Sequence, residues 1–162
     1  MLYSVIMLML YVAQTTPGFL SIGNVRPILV FPFAVCVAMF DSYLAGGLFG
    51  LFAGILCDTS VSMIFGLQSI LYLAVCAAVG LIIVYYMQPS VINSLIFVGC
   101  GLSIKLLLEF FFSFFMWGYE NIHIVLVSHM LPLLAYTLAA TLPIFLMVRK
   151  LHRFFEEQMS RL

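Results

Sequence analysis

The sequence predicts an all-α, polytopic membrane protein with about six transmembrane helices, and three observations support this fold class. Of the 162 residues, 65% are hydrophobic and only 7% are charged, whereas soluble domains carry about 25% charged residues. Long apolar runs recur along the chain, and a transmembrane helix needs about 20 apolar residues. Short clusters of Pro, Gly, Ser, Asp and Asn separate these runs, as turn-forming residues do.

The turn-forming clusters divide the chain into six predicted spans. Their approximate limits are residues 2–14, 27–40, 43–57, 63–87, 91–117 and 124–148. The first three are short for a membrane span. Five spans is therefore the competing count, with the second and third runs acting as one broken hairpin. Pro132 and Pro143 predict kinks in the sixth span, and Asp41-Ser42 is the predicted N-cap of the third.

The connections between the spans are too short to hold a soluble domain. We therefore divide the chain into a transmembrane bundle, residues 1–148, and a basic, amphipathic tail, residues 149–162. The tail contains Arg149, Lys150, Arg153 and Arg161, and positively charged flanks stay in the cytoplasm. An even number of spans then places the N-terminus in the cytoplasm as well.

Charge and motif content exclude several classes of function. The six basic and six acidic residues cancel, whereas a nucleic-acid partner selects clustered Lys and Arg. The four cysteines are far apart, without the short spacing of metal ligands. The sequence contains no recognisable hydrolase, zinc-protease or phosphate-loop motif. We therefore expect no catalytic residue, no metal and no cofactor, and the protein is not expected to be an enzyme.

A small-residue face is the sharpest local pattern. Gly46, Gly50 and Gly54 recur every four residues and so lie on one face of the third span. Glycine lets two helix backbones approach closely, which favours association of helices in lipid. The face either packs against a neighbouring span or is a docking face for another protein.

Asp58 follows this face at the end of the third span. A carboxylate near the membrane interface is tolerated when it caps a helix or meets water. The sequence predicts a cap for the following segment or for the local Asp58-Thr59-Ser60 turn. A polar contact to a partner chain is the alternative.

Lys105 and Glu109 lie four residues apart in the fifth span, hence on one helical face. Each charge alone would cost about 2.5–3.5 kcal/mol at a helix centre, and pairing offsets much of that cost. An internal ion pair, a proton or ion relay, and a contact to a partner protein within the membrane are the three interpretations.

The stretch from Arg26 to Tyr72 carries a resemblance. It reads RPILVFPFAVCVAMFDSYLAGGLFGLFAGILCDTSVSMIFGLQSILY, with Arg-Pro opening one span, a glycine-rich helix, an Asp directly after it and Gly-Leu ahead of the next span. This pattern resembles the family of the rod shape-determining protein MreD. The matching positions are Arg26, Pro27, Gly47, Gly50, Leu51, Gly54, Asp58, Gly66 and Leu67. Glu109 is similar to an acidic residue of the family's fifth helix, whereas Lys105 departs from the pattern.

The resemblance implies a non-catalytic membrane subunit of the bacterial elongation machinery, located in the inner membrane. The implied partners are the bitopic protein MreC, the actin-like protein MreB and the glycosyltransferase–transpeptidase pair that makes lateral wall peptidoglycan. It also implies a fold similar to the S components of energy-coupling factor vitamin transporters, and such a substrate-binding S component is the alternative function. Under the scaffold interpretation no small-molecule substrate is expected. The candidate packing or partner-binding residues are Arg26, Pro27, Gly46, Gly50, Gly54, Asp58, Lys105 and Glu109.

Overall fold

The computed structural model describes residues 2–16, 28–61, 66–111 and 131–159, and these form an all-helical bundle. The helices are α1 (Leu2–Thr15), α2 (Val30–Phe40), α3 (Tyr43–Val61), α4 (Leu67–Tyr86), α5 (Val91–Phe110) and α6 (Leu131–Met159). The prediction of an all-α membrane protein is confirmed at this level, because four of the helices are long and apolar enough to cross a membrane.

The four candidate spans are α3, α4, α5 and α6. The other two helices are shorter, with 14 residues in α1 and 11 in α2. At 1.5 Å per residue they measure about 21 Å and about 17 Å, less than the roughly 30 Å hydrocarbon core of a bilayer. The structure therefore confirms the presence of six apolar helices in the described residues, while the count of six spans stays a prediction.

Helix α2 lies in the centre of the bundle. Residues 30–39 are all buried, and α2 contacts each of the other five described helices. Its sequence is compatible with this position, because a helix that is hydrophobic on every side leaves no polar side chain unpaired when it is buried. The ring of Phe31 packs edge-on against Tyr72 of α4 at 4.8 Å between centroids. Phe40, at the other end of α2, contacts Phe145 of α6 at 5.6 Å.

Side chains from two other helices cap the buried start of α2. The first amide groups of a helix have no partner within it. Gln14 of α1 supplies one partner, because its Oε1 accepts the N–H groups of Leu29 at 3.0 Å and Val30 at 3.3 Å. Thr137 of α6 supplies another, since its hydroxyl accepts the N–H of Ile28 at 3.4 Å. Two N–H groups at the start of α2, and the N–H of Ile28 just before it, thus find acceptors within the bundle.

A tight connection joins α2 to α3. Asp41 ends α2, and its Oδ1 accepts the N–H of Ser42 at 3.1 Å. The hydroxyl of Ser42 accepts the N–H of Ala45 at 3.3 Å, which makes Ser42 the N-cap of α3. The N-cap predicted at Asp41-Ser42 is confirmed, and it fixes α3 antiparallel to α2.

Helix α6 extends beyond the predicted end of the last span. The predicted end of the sixth span at Val148 lies inside this helix, which continues through Arg149 and Lys150 to Met159. The end of the membrane span itself stays a prediction. Both basic residues are strong helix formers, so a change in polarity does not interrupt the backbone. Pro132 is the second described residue of this helix, and Pro143 lies inside it. The predicted boundary between bundle and tail therefore falls within one helix.

Replacing Gln14 by Leu should lower the thermal stability of the purified protein by about 1–2 kcal/mol, because two N–H groups at the start of α2 lose their acceptor. Thr16→Val is the matched control. Among the described residues, the Thr16 hydroxyl bonds the carbonyl of Val12, one turn earlier, at 2.7 Å. Equal unfolding temperatures for the two variants in detergent would contradict the capping role.

Candidate functional site

The glycine face of α3 packs inside the bundle. A Cβ added at Gly46 would lie 2.7 Å from the Cβ of Ala38 in α2. At Gly50 it would lie 2.7 Å from the carbonyl oxygen of Tyr72 in α4, and at Gly54 2.8 Å from that of Gln68. These distances leave no room for a side chain. Of the two interpretations of this face, the contacts support internal packing against α2 and α4.

Two further glycines make equally close contacts that the sequence pattern did not indicate. A Cβ at Gly80 of α4 would lie 2.9 Å from the Cα of Tyr43 in α3. A Cβ at Gly101 of α5 would lie 2.6 Å from the ring of Phe31 in α2. Neither glycine belongs to a repeat with four-residue spacing like that of Gly46, Gly50 and Gly54, so only the tertiary structure identifies them.

Asp58 caps the first turn of α4. It lies within the last turn of α3, is only 4% exposed, and points across the connection. Its Oδ2 accepts the N–H groups of Gly66 at 3.1 Å and Ser69 at 3.0 Å, together with the Ser69 hydroxyl. Its Oδ1 accepts the N–H of Gln68 at 3.2 Å. This is the cap for the following segment expected from the sequence, and the positive end of a helix dipole favours a carboxylate there.

Gly66 completes the turn that brings α4 to Asp58. Its φ of +96° lies in the left-handed region, which side chains rarely adopt. No atom of the described residues, apart from its chain neighbours, lies within 4 Å of the position of a Cβ, so the backbone conformation is the reason that glycine is required. Three residues thus build the connection between α3 and α4. Gly54 allows the two helices to approach closely, and Asp58 hydrogen-bonds the first turn of α4. Gly66 adopts the left-handed backbone conformation that precedes α4.

Lys105 and Glu109 form an ion pair on α5. Lys105 Nζ lies 2.9 Å from Glu109 Oε1, with the lysine buried and the glutamate side chain 33% exposed. Glu109 Oε1 also accepts a hydrogen bond from Gln68 Nε2 at 2.7 Å. Because Gln68 is the second residue of α4, the pair lies level with the first turn of that helix. The sequence pattern places the Lys105–Glu109 pair at the centre of the fifth span. In the bundle, however, the pair lies beside the start of α4 and not beside its middle.

Gln68 connects the two charged features. Its backbone N–H bonds Asp58 and its side-chain amide bonds Glu109. Gly54 lies against the same residue. The structure thus brings together Gly54, Asp58, Lys105 and Glu109, four of the residues singled out from the sequence. Gly46 lies apart from them, against α2, and Arg26 and Pro27 lie outside the described residues.

Gln68, Lys105 and Glu109 border a polar cavity of about 330 Å³ at one end of the bundle. It lies where α1, α3 and α5 end and where α4 and α6 begin. Its lining consists of Tyr11, Gln14, Thr15, Ile28, Cys57, Ser60, Gln68, Tyr72, Lys105, Glu109 and Leu133. The sequence did not indicate this cavity, because its polar residues are spread over four apolar helices and only the tertiary structure brings them together.

Two buried polar atoms of the lining residues lack a strong partner. Gln68 Oε1 is buried and accepts no hydrogen bond from the described residues. The hydroxyl of Tyr72 is buried beside the Cys57 thiol, a weak partner, and bonds no described nitrogen or oxygen. Buried polar groups in native proteins are nearly always paired, so each such atom requires an explanation. By contrast, the Tyr11 hydroxyl bonds Thr59 and Ser60 of α3.

The polar groups at this end of the bundle form hydrogen bonds and one ion pair with each other. Within residues 2–16, 28–61, 66–111 and 131–159, no three His, Cys, Asp or Glu side chains group as metal ligands would. Comparison with protein-family models, with curated proteins and with solved structures finds no match for this chain.

Replacing Gly50 by Ala should destabilise the bundle strongly, because the added Cβ meets backbone and the Cys76 side chain of α4. Gly99→Ala on α5 is the matched control. Its Cβ would meet only Leu138 at an ordinary 3.7 Å, and alanine is a better helix former by about 1 kcal/mol. Thermal unfolding in detergent should show a loss for the first variant and no loss for the second. A Gly50→Ala protein as stable as Gly99→Ala would contradict the close packing of α3 on α4.

Asp58→Asn should lower stability by about 1–3 kcal/mol, because an amide offers one acceptor where the carboxylate uses two. Asp41→Asn is the control, since Asp41 is exposed and its carboxylate accepts the N–H of the adjacent Ser42. The control should change stability by less than about 0.5 kcal/mol. If both variants unfold at the same temperature as the original chain, Asp58 is not a cap on which α4 depends.

Lys105→Met should lower thermal stability because it leaves Glu109 without its cation, and Glu109→Gln should do so more mildly because an amide still accepts from Gln68. The double variant should recover much of the loss, since no uncompensated charge remains. The expected coupling is about 0.5–3 kcal/mol. Simple additivity of the two single losses would count against the pair.

Proposed function

We propose that this chain is a non-catalytic scaffold subunit of the bacterial cell elongation machinery, which synthesises lateral wall peptidoglycan and maintains rod shape. The proposal starts from the resemblance to the MreD family. One observation carries it: the residues of that resemblance have packing and capping roles. Gly50 and Gly54 seat α3 on α4, and Asp58 and Gly66 fix the turn between these helices. A motif that builds a rigid hairpin suits a subunit that presents surfaces to other proteins.

The proposed partners are MreC, MreB and the glycosyltransferase–transpeptidase pair, at the inner membrane. Because the glycine face of α3 is occupied by α2 and α4, a bitopic partner such as MreC would meet another face. The side of α3 away from the glycines exposes Leu44, Leu48, Phe52 and Ile55. Apolar side chains of this kind pack against lipid or against a single transmembrane helix with equal ease.

The polar cavity favours a second candidate function, that of a substrate-binding S component of an energy-coupling factor transporter. A volume of about 330 Å³ falls at the lower end of the roughly 300–1,000 Å³ range of small-molecule sites. Its lining combines apolar walls with polar groups from several helices, as such sites do. A scaffold does not require this feature.

Affinity purification in mild detergent separates the two proposals. A tagged chain expressed in its own cells should retain wall-synthesis proteins, and a tagged multi-pass protein of unrelated function serves as the control. Recovery of a transporter ATPase module instead would favour the S component. Recovery of neither, under conditions that preserve a known membrane complex, would contradict both functions.

The proposed topology places both termini in the cytoplasm. Reporter fusions at the C-terminus and within residues 117–121 should therefore report opposite sides of the membrane, because one span separates them. The basic residues that follow the last span predict a cytoplasmic C-terminus. Reporters that give the same side would show that the assignment of the fifth and sixth spans is wrong.

A further inference from the structure

We propose that the outer face of α6 binds an anionic phospholipid, with the lipid chains on the apolar part of that face and the phosphate on the basic part. The proposal concerns the lipid around the bundle and is independent of both functions proposed above. It rests on the rotation of α6, on the depth of its basic residues and on the charges that surround them.

Contacts with α2 fix which side of α6 faces outward. The ring of Phe40, at the end of α2, lies 5.6 Å from that of Phe145 and 5.3 Å from that of His152, between centroids. Positions spaced by three or four residues share one side of a helix, and positions 142, 146, 149 and 153 form such a series on a different side from Phe145. The residues of this outer face are Leu142, Leu146, Arg149 and Arg153, and all four are exposed.

The polarity of the outer face changes abruptly along the helix axis. Leu142 and Leu146 are 43% and 52% exposed, and Arg149 follows Leu146 after only about 4.5 Å. Lys150, which is also exposed, lies beside Arg149 and Arg153. A phospholipid has the same order of groups, because its apolar chains lie directly beneath a charged phosphate. The face therefore offers a matching surface to both parts of one lipid.

The basic residues lie at one edge of the apolar bundle. The two ring contacts with α2 fall on either side of Arg149 in the sequence, so Arg149 is level with the end of α2. Helix α4 ends at this edge as well, because Gly80 in its last two turns packs against Tyr43 at the start of α3. The final residues of α4, Tyr85 and Tyr86, are 72% and 84% exposed. Tyrosine is enriched where spans meet the lipid headgroups, which places Arg149 at headgroup depth.

The cations of the outer face are available to a phosphate. Among the side chains that the structure describes, Arg149, Lys150 and Arg153 form no ion pair, even though Asp41 lies at the same end of the bundle. A guanidinium group holds phosphate oxygens through two parallel hydrogen bonds. Arg149 and Arg153 are one turn apart on one side of the helix, so both can reach the same phosphate.

The acidic residues of the tail lie further from the bilayer than the basic ones. Glu156 and Glu157 occupy helical positions about 10 and 12 Å beyond Arg149 along the axis. This separation is about one Debye length at moderate salt, so their effect on a phosphate at Arg149 is largely screened. The part of the tail next to the lipid is therefore positively charged, which favours an anionic headgroup over a zwitterionic one.

Quenching of tryptophan fluorescence by brominated lipids measures which lipid lies against a chosen position. The reporter is Leu146→Trp, in a chain whose single tryptophan, Trp117, is replaced by Phe. The vesicles contain equal amounts of phosphatidylcholine and phosphatidylglycerol, and bromine is carried by the chains of one lipid or of the other. Leu48→Trp is the matched control, because it is 64% exposed and lies in the second turn of α3, which begins at the same end of the bundle.

Phosphatidylglycerol should be enriched about threefold to tenfold over the vesicle average at Leu146→Trp, so its brominated form should quench the more strongly. The two lipids should quench Leu48→Trp equally, because α3 contains no basic residue. Equal quenching at Leu146→Trp would overturn the proposal and leave the basic residues to a protein partner. The same preference at Leu48→Trp would overturn it as well, because the enrichment would then not belong to α6.

Replacement of Arg149, Lys150 and Arg153 by Gln should abolish the preference at Leu146→Trp. Glutamine resembles both residues in helix propensity, so the unfolding temperature in phosphatidylcholine should not change. Arg149→Gln alone should lower the preference in part. Arg161→Gln is its control and should leave the preference unchanged, although it also removes one positive charge from the tail.

A preference that survives the triple replacement, or that falls equally in Arg149→Gln and Arg161→Gln, would overturn the assignment to this face. If the triple variant does not fold, the two single variants decide. The vesicles contain no other protein, so this result and that of the affinity purification are independent of each other.

Discussion

The burial of α2 determines the polar chemistry at one end of this bundle, because the free amide groups of its first turn cannot reach water. Helix α2 has eleven residues, which are apolar on every side. It lies at the centre of the bundle, in contact with all five other described helices. The N–H groups of Leu29 and Val30 must find acceptors in that environment, and Gln14 provides one from α1. Thr137 of α6 accepts the N–H of Ile28, the residue before Leu29. The caps therefore require a polar side chain in an apolar part of α1, Gln14, and another in α6, Thr137. Gln14 is also part of the cavity wall.

The hairpin of α3 and α4 shows the same constraint at a second helix start. Close approach at Gly50 and Gly54 brings the first turn of α4 against the end of α3, where its amide groups lie in a buried setting. Asp58 satisfies them, and Gln68 extends the network to Glu109 and so to Lys105 on α5. Caps for two buried helix starts and one ion pair thus accumulate at one end of the bundle. Gln68, Lys105 and Glu109 border the cavity.

The sequence predicts the parts of this arrangement that are local and periodic. The four-residue glycine spacing and the 105/109 pair are visible along a single helix, and Asp58 stands where a cap is expected. The central position of α2 is not predictable in this way, because a short apolar run fits a buried helix and a membrane span equally well. The cavity is hidden for a different reason: Gln14, Tyr72 and Lys105 belong to three different helices, and only the tertiary structure shows that they line one space. The continuation of α6 past Val148 is not visible in the sequence either, because polarity changes at Arg149 while helix propensity does not.

The exclusion of α2 from lipid is the central claim, and footprinting with a photoreactive lipid tests it most directly. A phospholipid with a carbene precursor at mid-chain labels side chains that touch the hydrocarbon core of a bilayer, and peptide mass spectrometry locates the label. The structure predicts insertion on the outer faces of α3 and α5, including Leu48, Ile104 and Leu107, which are 64%, 49% and 64% exposed. It predicts no insertion between Val30 and Phe40. Label in this segment at the level found on α3 would show that α2 faces lipid, and would contradict the account of the bundle built around it.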